Sequence, residues 1–366
     1  MKKEQQEQWM RRVLELAGRA AGRTSPNPMV GAVIVKNGRV IAEGYHKKAG
    51  GPHGEIAALR KAGARARGAQ LILNLEPCCH QGRTPPCTEA IIAAGIREVY
   101  VGMRDPNPLV AGKGLRRLKK AGIAVFSGIL KEECLGLNEA FVKYIQTGRP
   151  WVVLKSAISL DGKIATAGGH SQWITGPEAR ERVHRMRDRV DAILVGPGTV
   201  LKDNPRLTTR LKKGRGKNPA RVILDSRFQI PLKARVFHHA DRETVIYATS
   251  NKAPVSRVRR LRDRGVDVRL FPENNGKISL KSLMRQLGKM EITSVMIEGG
   301  GGLNASALQE KIVDKAILFL APRLIGGDAA PGMVGGPGIK HLRQAWSIKN
   351  LMVTPVGADW MVEGYL

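Results

Sequence analysis

His53-Gly54-Glu55, followed by Glu76-Pro77-Cys78-Cys79-His80-Gln81-Gly82-Arg83-Thr84-Pro85-Pro86-Cys87, is the stretch on which the reading of this chain turns. One imidazole and two thiolates supply three ligands of the kind zinc prefers and leave a fourth tetrahedral position for a water. A carboxylate two residues past the histidine can move that water's protons. These are the parts needed to remove an amino group from a base-like ring by hydrolysis. Cys78 and Cys79 do not readily share one ion, because adjacent side chains diverge; Cys78, directly after the proline, is the expected ligand. A purely structural zinc would need a fourth protein ligand, for which His80 or Cys79 is available, and would leave Glu55 without a role.

The surroundings place these residues on an α/β scaffold. A helix over residues 8–21 and a turn at Thr24-Ser25-Pro26-Asn27-Pro28 precede two β-rich runs, 30–35 and 40–45, joined through Asn37-Gly38, a strong hairpin signal. His53 and Glu55 open a helix expected over 54–66, with Pro52 suited to its first turn. Residues 71–75 read as a buried strand, ended by Pro77. Cys87 directly precedes a helix closed by Gly95, so its thiolate sits near a helix N-terminus. Both ligand groups thus come from strand-loop-helix units, the usual way α/β proteins place sites at strand ends. A strand at 98–102, a helix at 114–121, a strand at 124–127 and a helix over 131–145 complete the first half. Thr147-Gly148-Arg149-Pro150 is the best boundary, giving domains of 1–147 and 151–366.

Three of the four cysteines crowd beside two histidines, which in a chain without an export signal favours metal over disulfide. The first 22 residues are amphipathic and lack the apolar core of a signal peptide, and no later apolar run approaches bilayer length. A cytoplasmic enzyme without membrane partners is expected. The net charge of +30 suits either a polyanion partner or a solvated basic surface that holds small phosphorylated molecules. Aromatics are only 4% of the chain, too few to interleave with the charge as a stacking platform for single strands, so no nucleic-acid partner is expected.

In the second half, alternation along residues 151–162 puts Val152, Leu154, Ile158 and Leu160 on one face and Lys155, Ser159 and Asp161 on the other, which suggests a site wall. A helix over 177–189 and a strand over 192–195 lead to an expected tight turn, Gly196-Pro197-Gly198-Thr199. Strands follow at 221–224, 244–248 and 266–270, with a helix at 280–287. Then Ser294-Val295-Met296-Ile297-Glu298 runs into Gly299-Gly300-Gly301-Gly302 and a helix start. Strand, glycines and helix make a phosphate cradle, since backbone N–H groups can approach an anion with no Cβ in the way. The run matches neither of the usual nucleotide-binding fingerprints.

Taken together these motifs resemble the bifunctional deaminase-reductase family of riboflavin biosynthesis. Nucleic-acid and nucleoside deaminases usually show PCxxC, whereas here the second thiol lies nine positions on, a spacing distinctive of the riboflavin enzyme. Thr24 to Gly31, Gly44-Tyr45-His46 and Asp105-Pro106-Asn107-Pro108 are similar to its other deaminase motifs. Lys155-Ser156-Ala157-Ile158-Ser159-Leu160-Asp161-Gly162-Lys163, Trp173-Ile174-Thr175, Asp203-Asn204-Pro205 and Glu298-Gly299-Gly300 resemble its reductase half.

The resemblance implies a cytidine-deaminase-like α/β/α domain followed by a dihydrofolate-reductase-like α/β domain, with Zn2+ and NADPH as cofactors. The implied reactions are hydrolytic deamination of 2,5-diamino-6-(phosphoribosylamino)pyrimidin-4-one to 5-amino-6-(5-phosphoribosylamino)uracil, then reduction of its ribose to a ribityl chain. The implied partners are these phosphorylated pyrimidines, in a homo-oligomer. Carried over by position, His53, Cys78 and Cys87 ligate zinc, Glu55 shuttles protons, and Asn27, His46, His80 and Arg83 hold the pyrimidine and its arm. Ala157, Trp173, Thr199, Asp203, Ser226 and the loop Gly300, Gly301, Gly302, Leu303, Asn304, Ala305, Ser306 line the cofactor. Ser171, Arg187, Leu207, Arg210 and Glu298 contact the reducible substrate, and Lys155 stands near the reacting ribose. Gly54 departs from the family's usual alanine, at an expected helix cost of about 1 kcal/mol. Two rivals stay open on the residues alone: an RNA-base deaminase with a basic RNA-binding half, and a zinc-stapled binding protein.

Overall fold

The computed structural model describes residues 1–366 except 81–84 and 215. The chain divides into two compact units, Met1–Gly148 and Arg149–Leu366.

In the first unit the elements run α1 (Lys3–Gly18), β1 (Gly31–Lys36), β2 (Arg39–Tyr45), α2 (Gly54–Ala62), β3 (Gln70–Leu75), α3 (Cys87–Ala93), β4 (Glu98–Met103), α4 (Lys113–Lys120), β5 (Ala124–Ser127), α5 (Lys131–Leu137) and α6 (Glu139–Thr147). They form a five-stranded sheet in the order β2-β1-β3-β4-β5, antiparallel at β1 and parallel from β3 onward. Strand alternation divides the core into two layers. Ile34, Leu71, Leu73, Val99 and Val101 pack against Ala58, Ile91 and Leu118 of α2, α3 and α4. On the other face, Val33, Ile72 and Tyr100 pack against Met10, Val13 and Leu16 of α1 and Cys134 of α5. The unit is an α/β/α sandwich.

The second unit runs β6 (Trp151–Ser159), α7 (Pro177–Arg189), β7 (Ala192–Val195), α8 (Pro197–Asp203), β8 (Ala220–Leu224), β9 (Val245–Ser250), α9 (Val255–Arg262), β10 (Asp267–Phe271), β11 (Glu273–Asn274), β12 (Lys277–Ile278), α10 (Leu280–Lys289), β13 (Ser294–Ile297), α11 (Gly301–Gln309), β14 (Lys315–Ala321), β15 (Lys349–Val356) and β16 (Asp359–Tyr365). Its nine-stranded sheet has the order β10-β9-β8-β7-β13-β6-β14-β16-β15, parallel up to β14 and closed by antiparallel β16 and β15. Apolar residues of α10 and α11 cover one face, and those of α8 and α9 the other. Among the described residues no helix is long and apolar enough to cross a membrane.

The structure departs from the sequence reading in several places. The first helix begins at Lys3 and ends at Gly18, after which the Arg19, Ala20 and Ala21 N–H groups bond three residues back, to Leu16, Ala17 and Gly18, and the chain leaves the helix in tight turns. The expected helix over 131–145 is two helices broken at Asn138, whose buried side chain accepts the Met29 N–H at 2.8 Å and donates to the Met29 carbonyl at 3.1 Å. Gly196-Pro197-Gly198-Thr199 starts helix α8 rather than making an isolated turn, with Pro197 in its first turn. Strand β6 stops at Ser159, so Leu160 is 59% exposed instead of sharing the core face. The proposed wall dissolves with it: Asp161 accepts the Ile325 and Gly326 N–H groups and Ser159 is buried, leaving Lys155 alone of the three in the cleft.

Candidate active sites

The ligand-type residues of the first site stand at helix starts and, for Cys78, in the loop that follows β3. His53 is the N-cap of α2 and Glu55 lies in its first turn. Cys87 opens α3, and its N–H donates to the Cys78 sulfur at 3.3 Å. The His53 Nδ1 lies 3.2 Å from the Cys87 Sγ and 3.9 Å from the Cys78 Sγ. A tetrahedral zinc with ordinary bonds spaces such N and S atoms about 3.6 Å apart, so the donor set fits the ion in both type and separation. Among the described residues only His53, Cys78 and Cys87 form such a group; Cys79 and His80 do not join it. Between the thiols the proton stays on Cys87, whose hydrogen bond holds the Cys78 thiol well below its ordinary value.

Glu55 is 2% exposed and its Oε2 has no hydrogen-bond partner among the described residues, so a buried carboxylate oxygen is left free beside the candidate ligands. Burial pushes its pKa up. The His46 Nδ1 lies 3.0 Å from the Pro52 carbonyl, which can only accept; the ring proton therefore sits on Nδ1, and Nε2 accepts the Asn27 amide at 3.2 Å. Burial pulls His46 down, which keeps this pair neutral. His80 has a buried Nδ1 without a partner among the described residues, and Arg83 lies outside them.

The platform under these groups depends on residues that the sequence reading passed over. Glu76 accepts the N–H groups of Asp105, Gly112 and Leu115, which ties the end of β3 to the Asp105-Pro106-Asn107-Pro108 loop and α4. Asn74 accepts the Gly31 N–H and donates to the Met29 carbonyl, pinning the turn that carries Asn27. The available signal was two polar residues at the end of the apolar run Leu71-Ile72-Leu73-Asn74-Leu75-Glu76.

Glycine also sets the height of α2. A Cβ on Gly44 would stand 2.4 Å from both the Ala58 nitrogen and the Gly54 carbonyl, and one on Gly54 would stand 2.6 Å from the Val30 carbonyl. Glycine at 54 therefore permits a close approach and is not simply a helix penalty. Gly44→Ala is expected to lose about 2–3 kcal/mol by overpacking against backbone that cannot yield. Urea unfolding measures it, and bound zinc should fall in parallel because α2 carries His53 and Glu55.

The second site is a cleft of about 1380 Å³ in the second unit, ample for a dinucleotide together with a sugar substrate. Lys155, Ala157, Trp173, Thr199, Asp203 and Ser226 line it, as do Ser171, Arg187, Leu207, Arg210 and Glu298. Gly300, Gly301, Gly302, Leu303 and Ser306 line it at the start of α11, whereas Asn304 and Ala305 do not. The helix begins at Gly301, so its turn carries Asn304 and Ala305 into the core; Asn304 donates to the Met333 carbonyl at 2.9 Å. A Cβ on Gly301 would meet the Gly332 carbonyl at 2.8 Å, while Gly300 and Gly302 border open space. That open helix start fits an anionic phosphate.

Arg187 and Glu298 form a bidentate pair at 2.7 and 2.8 Å, both side chains nearly buried. Burial pushes Glu298 up, but the charge and hydrogen bonds of Arg187 and the charge of Lys155 outweigh it and bring the carboxyl to about 2. Lys155 itself has no hydrogen bond or ion pair among the described residues; its Nζ lies 6.0 Å from the Phe319 ring centroid. Burial pulls its pKa below the usual lysine value, with Glu298 opposing and Arg187 assisting.

A His-Cys-Cys group with a buried carboxylate on an α/β/α sandwich, and a dinucleotide-sized cleft on a mostly parallel sheet, define a zinc-dependent deaminase joined to a nicotinamide-dependent reductase. Residues 3–103 match the cytidine and deoxycytidylate deaminase zinc-binding region, and residues 150–362 match the RibD C-terminal domain. The chain is 44% identical to the riboflavin biosynthesis protein RibD of Actinobacillus pleuropneumoniae, over 97% of this chain and 94% of the relative. With that of Escherichia coli it is 42% identical, over 97% and 98%. The structure is similar to Acinetobacter baumannii RibD, with a TM-score of 0.90 at 39% identity over 100% and 99% of the two chains. It is also similar to the Thermotoga maritima diaminohydroxyphosphoribosylaminopyrimidine deaminase/5-amino-6-(5-phosphoribosylamino)uracil reductase, with a TM-score of 0.88 at 40% identity over 99% of each chain. The chain belongs to the RibD family, the bifunctional deaminase-reductases of riboflavin biosynthesis. It uses Zn2+ and NADPH to deaminate the phosphoribosylamino-diaminopyrimidinone and then to reduce the ribose of the resulting aminouracil.

Proposed function

We propose that the two reactions are divided between residues 1–147, which deaminate, and residues 151–366, which reduce, each with its own residues. The observation that carries the first assignment is the approach of His53, Cys78 and Cys87 beside a buried, unpartnered Glu55 oxygen. These three residues hold zinc, which when bound supplies a Lewis acid that lowers the pKa of a water toward neutrality. Glu55, in its buried position, takes protons from the attacking water one at a time, passing one to the ring nitrogen and one to the departing amino group. Asn27, His46, His80 and Arg83 hold the pyrimidine and its arm; a neutral His46 bonded to Asn27 suits an uncharged ring.

In the reductase half, Ala157, Trp173, Thr199, Asp203, Ser226 and residues 300–306 hold NADPH, which when bound supplies the hydride. Within that last segment the assignment for Asn304 and Ala305 is to shape the helix start from beneath. Ser171, Arg187, Leu207, Arg210 and Glu298 orient the substrate, and Lys155 faces its ribose as a cation unpaired among the described residues. The test is one reaction mixture of protein, zinc, NADPH and the phosphoribosylamino-diaminopyrimidinone, with ammonia release and NADPH absorbance followed separately. In the parent protein, ammonia without NADPH oxidation would contradict the reductase assignment, and no ammonia with zinc bound would contradict the deaminase assignment.

The protein works in the cytoplasm, in keeping with four free thiols. It works as a homo-oligomer built on the β15 edge of the second unit. That terminal strand is exposed along almost its whole length and carries Leu351, Met352 and Val353, each more than half exposed. A long apolar edge invites an antiparallel copy of itself, since a two-fold axis pairs the same strand on both subunits. Light scattering should give a dimer or larger assembly that Val353→Arg dissociates; a monomeric parent protein would refute this.

A further inference from the structure

The cleft of the second unit has a cationic end that contains one uncharged ring. His184 lies on α7, a turn before Arg187, and lines the cleft. Its Nδ1 accepts the backbone N–H of Arg210 at 3.3 Å. A backbone N–H can only donate, so the neutral ring carries its proton on Nε2. Burial, then the charges of Arg187 and Arg210, pull His184 down to about 4, which keeps it neutral near pH 7. Its Nε2 has no partner among the described residues, and with Nδ1 turned to the Arg210 backbone it is the edge left for the cleft.

The neighbours specify what that N–H meets. Arg187, Arg206 and Arg235 all act electrostatically on Arg210, and all four guanidinium side chains belong to cleft-lining residues. Arg187 is committed to Glu298, and Arg210 donates to the Thr208 hydroxyl. The side chains of Arg206 and Arg235 make no hydrogen bond or ion pair among the described residues. The carboxylates acting on His184 are Glu298, already neutralised by Arg187, and Glu181. A neutral N–H donor beside Arg210, with the free guanidinium groups of Arg206 and Arg235 acting on that same arginine, suits a dianionic oxygen acceptor, and the terminal phosphate of the substrate's sugar arm has that chemistry.

We propose that His184 is a substrate-binding residue of the reduction step: its Nε2–H donates to the phosphate of the sugar arm while its Nδ1 fixes the Arg210 backbone beside that phosphate. The inference rests on the assignment of Arg187 and Arg210 to the reducible substrate.

The test compares reduction of 5-amino-6-(5-phosphoribosylamino)uracil with that of its dephosphorylated form in His184→Asn, His184→Gln and Arg210→Ala. Asparagine places an acceptor oxygen where Nδ1 stands, restoring the bond to Arg210 without a donor at the Nε2 position. Glutamine extends an amide N–H to the Nε2 position. His184→Asn should raise the KM for the phosphorylated substrate about tenfold, the value of one hydrogen bond to a charged group. The KM for NADPH and for the dephosphorylated substrate should not move, and glutamine should recover most of the loss. A parental KM in His184→Asn overturns the proposal and leaves His184 as a backbone clamp, and so does an equal rise with both substrates. Arg210→Ala separates the two levels: if it too leaves the KM for the phosphorylated substrate unchanged, the underlying substrate assignment fails as well.

Discussion

Glu55→Gln is expected to retain zinc and NADPH-dependent reduction while deamination falls by about 10²–10⁴-fold. Glutamine has nearly the shape of glutamate, so the first turn of α2 and the position of His53 survive. What disappears is a group that can take up a proton and give it back. The carboxylate it replaces is buried, has one oxygen without a partner and lies next to the ligand group, so water has little access to substitute for it. Metal analysis of the variant checks that zinc remains, ammonia release checks the first reaction, and supplied aminouracil intermediate checks the second. Loss of both activities together would argue that the sites are not independent.

Lys155→Ala is expected to do the converse: ammonia is released at the parental rate, and ribose reduction slows by about 10²–10⁴-fold. Lys155 stands on the interior strand β6, unpaired among the described residues, within electrostatic reach of an Arg187–Glu298 pair that already satisfies both of its own charges. Lys155→Arg then distinguishes two uses of the cation. Arginine keeps the charge but cannot release a proton near neutral pH. Rescue by arginine means that Lys155 acts by charge alone, whereas failure of arginine means that it passes a proton to the opening sugar. Because burial lowers the lysine pKa, the protonated form is lost as pH rises through a value below the usual 10.5, and reduction should fall off at correspondingly lower pH. An unaltered reduction rate in the alanine variant would remove Lys155 from the mechanism.

The candidate metal donors were legible because their chemistry is local. Zinc selects sulfur and imidazole, and a histidine at a helix cap with a cysteine at the next helix start is visible in a short stretch of sequence. The sheet of the first unit was legible for a similar reason: Ile34, Leu71 and Val99 alternate with Val33, Ile72 and Tyr100 in a period that only two covered faces require. The break at Asn138 was not, because it depends on a partner, Met29, far away in sequence. The same holds for Glu76, whose three N–H donors come from a loop and helix well downstream. Around α11 the sequence suggested seven consecutive cofactor contacts, but helical periodicity sends Asn304 and Ala305 to the far side.

The sequence by itself determined the candidate ligand group, the carboxylate beside it, the order of the two halves and the family, since each is carried by contiguous residues with a distinctive spacing. Tertiary structure alone decided which oxygen of Glu55 lies unpartnered, which ring nitrogen of His46 and of His184 carries the proton, and that Lys155 faces the cleft without Asp161. Those outcomes depend on hydrogen-bond partners and burial contributed by distant segments, and no local pattern records which partner a polar atom will find once the chain has closed around it.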